Sequence, residues 1–240
     1  MANETQLTLP LCPPTPASFE QFISDEANSA TVRSLRHFLT APNETLFFIA
    51  GEEGSGKTHL LTAACAEIER LGARGAYAPL AEAMRLSPEL LSDWEQYDLV
   101  CLDDLHAIAG RNDWEETIFH LFNRARDTGH RLLISATRLP ALIDIELPDL
   151  RSRLQWGTSF RLRMPDDALK RLILQNHAHQ RGMHLNDQLT DYLLRHHDRN
   201  LSRLMYLLER LDKVSLARQR RLTLPFVRSV IADMASERQG

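Results

Sequence analysis

The chain has 240 residues, of which 43% are hydrophobic and 25% are charged, a balance typical of globular proteins. No apolar run reaches the roughly 18–20 residues that cross a bilayer, and the N-terminus lacks the basic and apolar regions of a signal peptide, so we expect a cytoplasmic protein with no membrane partner. A net charge of −4 argues against nucleic-acid binding over the whole surface, although it is compatible with a local basic patch.

Residues 1–17 are predicted to form a tail, because Pro10, Pro13, Pro14 and Pro16 exclude a helix. Within it, Gln6-Leu-Thr-Leu-Pro-Leu11 places leucines at alternate positions of an extended segment. These leucines either pack on the protein's own surface or dock in an apolar groove of a partner. The candidate partner-binding residues are Gln6, Leu7, Leu9, Pro10 and Leu11.

The segment Gly51–Thr58 matches the phosphate-loop pattern G-x-x-x-x-G-K-[ST], between an apolar run at Leu46–Ala50 and a helical pattern from His59 to Arg70. Glycines let backbone N–H groups face a phosphate, and the helix N-terminus adds partial positive charge. Lys57 is expected to reach the β- and γ-phosphates, and the Thr58 hydroxyl to hold Mg²⁺. A plain glycine turn is the alternative. The predicted nucleotide-binding residues are Gly51, Gly54, Ser55, Gly56, Lys57, Thr58 and His59.

Short, nearly continuous apolar runs alternate with helical patterns as far as about residue 165, which predicts a parallel sheet with helices on both faces. The runs are Leu46–Ala50, Gly75–Ala78, Leu99–Leu102, Leu132–Ala136 and Phe160–Leu162. Sites in such folds lie at the carboxyl ends of the strands. Gly51, Asp103 and Thr137 each follow a strand, so we expect them to converge on one crevice.

The run Leu99–Leu102 ends in two carboxylates, Asp103 and Asp104. In a phosphate-loop protein this pattern is typical of the Walker B strand, whose first carboxylate holds Mg²⁺ through water. Asp104 is then placed to orient an attacking water. A strand followed by an aspartate-rich turn is the alternative interpretation.

Arg151 and Arg153 precede the fifth predicted strand, two residues apart, so they cannot share one helical face. One can be structural while the other projects. An arginine that does not reach its own nucleotide can reach a neighbour's and stabilise charge in that transition state. A surface salt-bridge arginine is the alternative reading of Arg153.

From Asp166 onward the pattern is purely helical, which predicts a helical domain at 166–240. Together with the proline-rich start and the strand–helix alternation, it divides the chain into a tail at 1–17, a nucleotide-binding base domain at 18–165 and this helical domain. Residues 195–221 carry eight Lys or Arg against three Asp or Glu. This excess indicates either a solvated helix face or contact with phosphates, for which Arg199 is the best candidate. Three cysteines without C-x-x-C spacing and scattered histidines predict neither a disulfide framework nor a transition-metal site. Cys65 and Cys101 are expected in the core and Cys12 at the surface.

Taken together, these motifs resemble the DnaA-related branch of the AAA+ ATPases over nearly the whole chain, and within that branch the Hda-type regulators, which inactivate DnaA. Gly51–Thr58 resembles the family's Walker A motif and Leu99–Asp104 its Walker B motif. Leu132–Pro140, which contains Thr137, resembles the sensor 1 strand. The remaining resemblances are Ser18–Phe22 to the adenine-side opening, Asp149–Gly157 to the segment with the arginine finger, Asp198–Leu201 to the sensor 2 entry of a lid helix, and Gln6–Leu11 to a clamp-binding peptide.

The resemblance implies a regulator that holds ADP (or ATP) with Mg²⁺ and has little ATP turnover of its own. Arg153 would act in trans as an arginine finger on DnaA, and Arg199 would lie over the phosphates. The tail would bind the β subunit of the DNA polymerase sliding clamp, and so bring the protein to DNA and the nucleoid. The chain would end without the DNA-binding domain of DnaA, and homodimers would compete through the same arginine surface.

Two residues depart from the family pattern. Thr137 stands where the DnaA branch usually has Asp, and Asp104 is one methylene shorter than the more usual Glu. Both departures favour the regulator over the second hypothesis, a self-sufficient AAA+ ATPase such as a helicase loader or a DnaA-like remodeller. A third hypothesis is direct DNA binding through the basic segment 195–221, which a steep salt dependence would reveal.

Overall fold

The computed structural model describes residues 17–41 and 44–237. The chain divides into two compact units, Met1–Arg163 and Met164–Gly240. Gln6–Leu11 and Cys12 lie outside the described residues, so their predicted roles stay predictions. Among the residues that are described, no helix combines the length and the apolar character that a membrane crossing requires.

The first unit is built on a five-stranded parallel sheet with strand order β2-β3-β4-β1-β5. Its strands are β1 (Leu46–Ala50), β2 (Gly75–Pro79), β3 (Leu99–Asp103), β4 (Arg131–Ala136) and β5 (Thr158–Arg161). Its helices are α1 (Glu26–Phe38), α2 (Lys57–Arg70), α3 (Leu80–Ala83), α4 (Asn112–Thr128) and α5 (Pro148–Leu154), with short 3-10 turns at Phe19–Gln21, Pro88–Leu91, Trp94–Gln96, Leu105–Ile108 and Pro140–Leu142. The predicted α/β class with a parallel sheet and a following helical lid is confirmed.

The two-residue period of the strands divides the core into two layers. In β1, Phe47 and Ile49 pack with α1 and α2 on one face, whereas Phe48 and Ala50 pack with α4 and α5 on the other. Cys65 of α2 and Cys101 of β3 meet in the first layer with their sulfurs 3.3 Å apart, and both are buried as predicted. Helices on both faces leave the ends of the strands as the place for a site.

Strand β5 differs from its prediction. It begins at Thr158, two residues earlier than expected, and three of its four residues are exposed. The expectation of burial on both faces fails because β5 lies at the edge of the sheet and pairs only with β1. Leu162, predicted as its last residue, follows the strand, is buried and donates its N–H to the carbonyl of Ala50 at 2.8 Å.

The second unit is helical, with α6 (Asp167–Gln180), α7 (Asp187–His196), α8 (Leu201–Arg218) and α9 (Leu224–Glu237). Asp166 and Asn186 cap α6 and α7, each accepting a backbone N–H three residues on. Leu204, Leu207, Leu208 and Leu211 of α8 form the buried stripe that their spacing predicts. This unit therefore has a hydrophobic core of its own.

Candidate nucleotide site and arginine helix

The phosphate loop joins β1 to α2 and depends on two glycines with left-handed backbone. Gly54 and Gly56 have φ values of 87° and 99°, and Gly56 caps α2. A Cβ on Gly56 would lie 2.7 Å from the ring of Phe22, and one on Gly51 would lie 2.5 Å from the hydroxyl of Ser55. The loop therefore has the close-packed backbone that a phosphate cradle requires, and it opens α2 at Lys57.

Lys57 lies across the loop that precedes it. Its Nζ donates to the carbonyl oxygens of Gly51, at 2.9 Å, and Glu52, at 3.3 Å, and lies 3.9 Å from Oδ1 of Asp104. The buried hydroxyl of Ser55 has no hydrogen-bond partner within the described part of the chain. An orphaned donor and a buried ammonium in one loop match the chemistry of a phosphate ligand.

Asp103, the last residue of β3, is buried and accepts three hydroxyl groups. Thr58 donates to its Oδ2 at 2.6 Å, Tyr77 donates to the same oxygen at 2.9 Å, and Ser135 donates to Oδ1. Burial and the negative charge of Asp103 raise the pKa of Tyr77, so the phenol stays protonated as a donor. Thr58 and Asp103 thus present two hard oxygens side by side, which suits Mg²⁺.

Asp104 has a left-handed backbone, with φ of 58°, and its N–H donates to the Ser135 hydroxyl at 3.0 Å. Burial first, and the negative charge of Asp103 second, raise the pKa of its carboxyl above the ordinary value, while Lys57 and His106 act in the opposite direction. Its side chain remains 37% exposed. Asp104 therefore faces outward from the carboxylate pair, where a water can reach it.

The other predicted nucleotide-binding residues of the first unit also lie at the carboxyl ends of the strands, near the phosphate loop. Gly51 donates its N–H to the carbonyl of Ala136 at 3.0 Å, so Thr137, which is exposed, lies beside the phosphate loop. His59 of α2 contacts Ser18, with Nε2 3.0 Å from its carbonyl oxygen, and its ring lies 5.5 Å from that of Phe22. Burial lowers the pKa of His59. The predicted adenine-side segment thus packs directly on the loop.

Arg153 lies towards the amino ends of the strands, away from the phosphate loop at their carboxyl ends. It belongs to the short helix α5, and the turn that follows places Gly157 against Leu46, the first residue of β1. The phosphate loop follows Ala50, the last residue of that strand, and four steps along a parallel strand span roughly 13 Å. The structure therefore separates Arg153 from the phosphate loop of its own chain.

The surroundings of the two arginines of α5 are open. Arg151 is exposed, Arg153 is half-buried, and neither forms an ion pair with any residue that the structure describes. The Arg153 guanidinium lies 3.9 Å from the centre of the Trp156 ring. The salt-bridge interpretation of Arg153 therefore does not apply within the described residues.

Glu115 of α4 fixes the start of α5, a role that sequence reasoning missed. Its carboxylate is fully buried and accepts the backbone N–H groups of Gly110 at 2.8 Å, Glu146 at 3.2 Å and Leu147 at 2.7 Å. Leu147 is the N-cap of α5. A buried carboxylate thus anchors the loop that leads into α5, the helix that carries Arg153.

Arg199 belongs to the second unit, just before α8. It is exposed, and its guanidinium lies 4.0 Å from a carboxylate oxygen of Asp167. A cavity of about 570 Å³ lies nearby in the same unit, between α8 and α9. The role of Arg199 over the phosphates stays a prediction. The basic excess of 195–221 is partly paired, since Arg203 meets Asp198 and Arg218 meets Asp233.

The missed residues had weak signals in the sequence. Glu115 shares the apolar stripe of α4 with Ile118 and Phe122, so it is a charge at a core position. Ser135 is a lone hydroxyl in an apolar strand, and Tyr77 has the one hydroxyl of β2, at its centre. Only a buried polar partner explains a polar group at such positions.

The comparisons with known proteins agree with this geometry. The sequence model of the bacterial DnaA ATPase domain matches residues 15–161, and that of the lid domain of Hda matches residues 167–231. A Haemophilus influenzae protein described as uncharacterized is 40% identical over 227 residues, which cover 94% of this chain and 98% of that protein.

Solved structures show the same fold. Domain III of the Thermotoga maritima replication initiation protein DnaA superimposes with a TM-score of 0.74 and 22% identity, over 90% of this chain and 95% of that one. AMPPCP-bound DnaA from Aquifex aeolicus gives a TM-score of 0.64 and 25% identity, over 80% of this chain and 65% of that one. These likenesses extend from the sheet into the helical unit.

Proposed function

Since this chain belongs to the family of the bacterial DnaA ATPase domain, we propose that it is a nucleotide-bound regulator of the Hda type, which stimulates ATP hydrolysis on DnaA in trans. Such an activity limits re-initiation of chromosome replication. One observation carries the proposal. Arg153 lies towards the amino ends of the strands, away from its own phosphate loop, and has no carboxylate partner within the described residues.

The proposed ligand of the phosphate loop is ADP or ATP with Mg²⁺. The support is the loop geometry together with the AMPPCP held by the Aquifex aeolicus DnaA. Thr58 and Asp103 would hold the cation, which neutralises charge on the phosphates when bound. Lys57 would leave its loop carbonyls for the β- and γ-phosphates, and Tyr77 and Ser135 keep Asp103 oriented.

The proposed action of this chain on its partner is electrostatic. An arginine finger stabilises the charge that spreads over the transferred phosphoryl group, and it accelerates hydrolysis by about 10³–10⁵ in related systems. Gln6–Leu11 would tether the chain to the β subunit of the sliding clamp and raise its concentration near DnaA on replicated DNA. A homodimer would use the same arginine surface and so compete with DnaA.

The test is hydrolysis of DnaA-bound ATP in the presence of clamp-loaded DNA. Arg153→Ala should abolish the stimulation but leave clamp binding intact, whereas Arg151→Ala removes the same charge from the same helix and should keep most of it. An equal loss of stimulation in both variants would mean that the net charge of α5 matters and not Arg153 in particular. Full stimulation by Arg153→Ala would show that Arg153 is not the arginine finger. Deletion of residues 1–12 should remove clamp binding; unchanged binding would refute the tail assignment.

The alternative is a self-sufficient ATPase, and the intact phosphate loop, with left-handed Gly54 and Gly56, is the observation in its favour. Turnover by the purified chain alone separates the two. Many ATP molecules per minute would establish the enzyme, whereas near-zero turnover together with stimulation of DnaA would establish the regulator.

A further inference from the structure

Trp156 is a large apolar side chain that is exposed to solvent. It is 61% exposed, on the turn between α5 and β5, whereas the other two tryptophans of the chain, Trp94 and Trp114, are 5% and 0% exposed. A tryptophan ring buries on the order of 150–250 Å² when it is covered. The first unit therefore leaves most of this ring available to another surface.

The turn that carries Trp156 is fixed on both sides. The Trp156 N–H donates to the carbonyl of Arg153 at 3.0 Å, and a Cβ on Gly157 would lie 2.5 Å from the carbonyl oxygen of Leu46. Only glycine permits this approach to β1. Glu115 holds the other end of α5. The ring thus projects from a rigid support, which lowers the entropy that a partner must remove on binding.

The ring and the guanidinium beside it form one surface, which we call the Arg–Trp surface and define as Arg153 and Trp156. The guanidinium of Arg153 covers one face of the ring at 3.9 Å, a cation–π contact. Among the described residues, Arg153 has no carboxylate within 4.0 Å, so its guanidinium forms no ion pair there. Trp and Arg are the residue types most enriched among those that dominate binding energy.

We propose that Trp156 is the apolar anchor of the contact with the partner ATPase: it packs beside the partner's nucleotide when Arg153 enters that site. This inference rests on the proposed function. The occupant is the nucleotide-bearing edge of an ATP-loaded ATPase domain, because its phosphates supply the negative charge that the Arg–Trp surface lacks. A covered ring also excludes water from the guanidinium–phosphate contact, and the lower local dielectric strengthens that contact.

Hydroxyl-radical footprinting with mass spectrometry tests the contact on the unmodified chain. The oxidation rate of Trp156 should fall towards that of buried Trp94 when DnaA bound to a non-hydrolysable ATP analogue is added. Leu71, which is 50% exposed on the same unit, should keep its rate. The chain is held at a concentration at which self-association alone leaves Trp156 reactive, and an unchanged oxidation rate of Trp156 on addition of DnaA would then overturn the proposal.

Substitutions of Trp156 distinguish two roles of its ring, an anchor that binds the partner and a support that only positions Arg153. Trp156→Ala should raise the concentration that gives half-maximal stimulation of DnaA by at least about tenfold, the size expected of a central interface tryptophan, with partial recovery in Trp156→Phe and none of this in Leu71→Ala. If only the maximal rate falls, the ring acts through Arg153 alone and the anchor is refuted. If the wild-type chain does not stimulate DnaA at all, the proposed function fails first. If the wild-type chain does stimulate DnaA, but the oxidation rate of Trp156 does not fall when DnaA is added, only the assignment of Trp156 as an anchor fails.

Discussion

Replacing Glu115 with alanine should destabilise the first unit more than any other single change of a charged residue on α4. Glu115 is buried and accepts three backbone N–H groups, those of Gly110, Glu146 and Leu147. The variant leaves these donors without their acceptor. The loop before α5 would then lose its anchor, and Arg153 would lose its fixed position.

The magnitude follows from the three hydrogen bonds. A hydrogen bond to a charged group contributes about 1.5–3 kcal/mol, and the lower end applies here because the N–H groups are partly buried and water can reach some of them. The total is roughly 3–5 kcal/mol. At about 2–4 °C per kcal/mol for a domain of this size, the unfolding midpoint should fall by roughly 10 °C.

Circular dichroism during heating measures the midpoint, and hydrogen exchange measures the three amides directly. Glu116→Ala is the matched control, because Glu116 is the next residue of the same helix and is exposed. We expect faster exchange at Gly110, Glu146 and Leu147 in the Glu115 variant only. A loss of stability below about 1 kcal/mol, or unchanged exchange at these amides, would refute the account of the anchor.

Three further predictions concern other parts of the chain. Gly56→Ala should abolish nucleotide binding by calorimetry, because its Cβ would meet Phe22, whereas Gly72→Ala, with φ of 82° in open space, should bind normally. Ser135→Ala should lower the free energy of unfolding in urea by about 1–3 kcal/mol, while Ser159→Ala on exposed β5 should not. Burial first, and the charge of His196 second, lower the pKa of His197 below its ordinary value of 6.5. The folded state therefore takes up the proton less readily than the unfolded state, so the free energy of unfolding is highest above pH 6.5 and falls as the pH falls. In His197→Asn, the free energy of unfolding measured against pH should decline less over this range.

The sequence predicted the parts of this fold that obey local rules. Strand β1 has the predicted bounds, the glycine pattern of the phosphate loop has the expected backbone, and Cys65 and Cys101 are buried. These features depend on residues close together in the chain, where periodicity and backbone geometry decide the outcome.

Features that join distant segments were not predictable in the same way. The hydroxyl of Ser135 meets Asp103 across 32 positions of the chain, and Glu115 meets Leu147 across the same separation. The exposure of β5 depends on its place at the edge of the sheet, which its composition does not reveal. Trp156 resembles a core residue by type, and only the fold leaves it outside. The roles of Arg153, Arg199 and the tail stay predictions.

The order of the strands also bears on how the protein avoids aggregation. Both outer strands of the sheet, β2 and β5, have one side without a partner strand, and such edges invite pairing with other chains. Strand β2 ends in Pro79, which has no N–H to donate, and β5 is only four residues long and ends in the charged Arg161. Each edge thus carries a feature that discourages the addition of a strand from another chain.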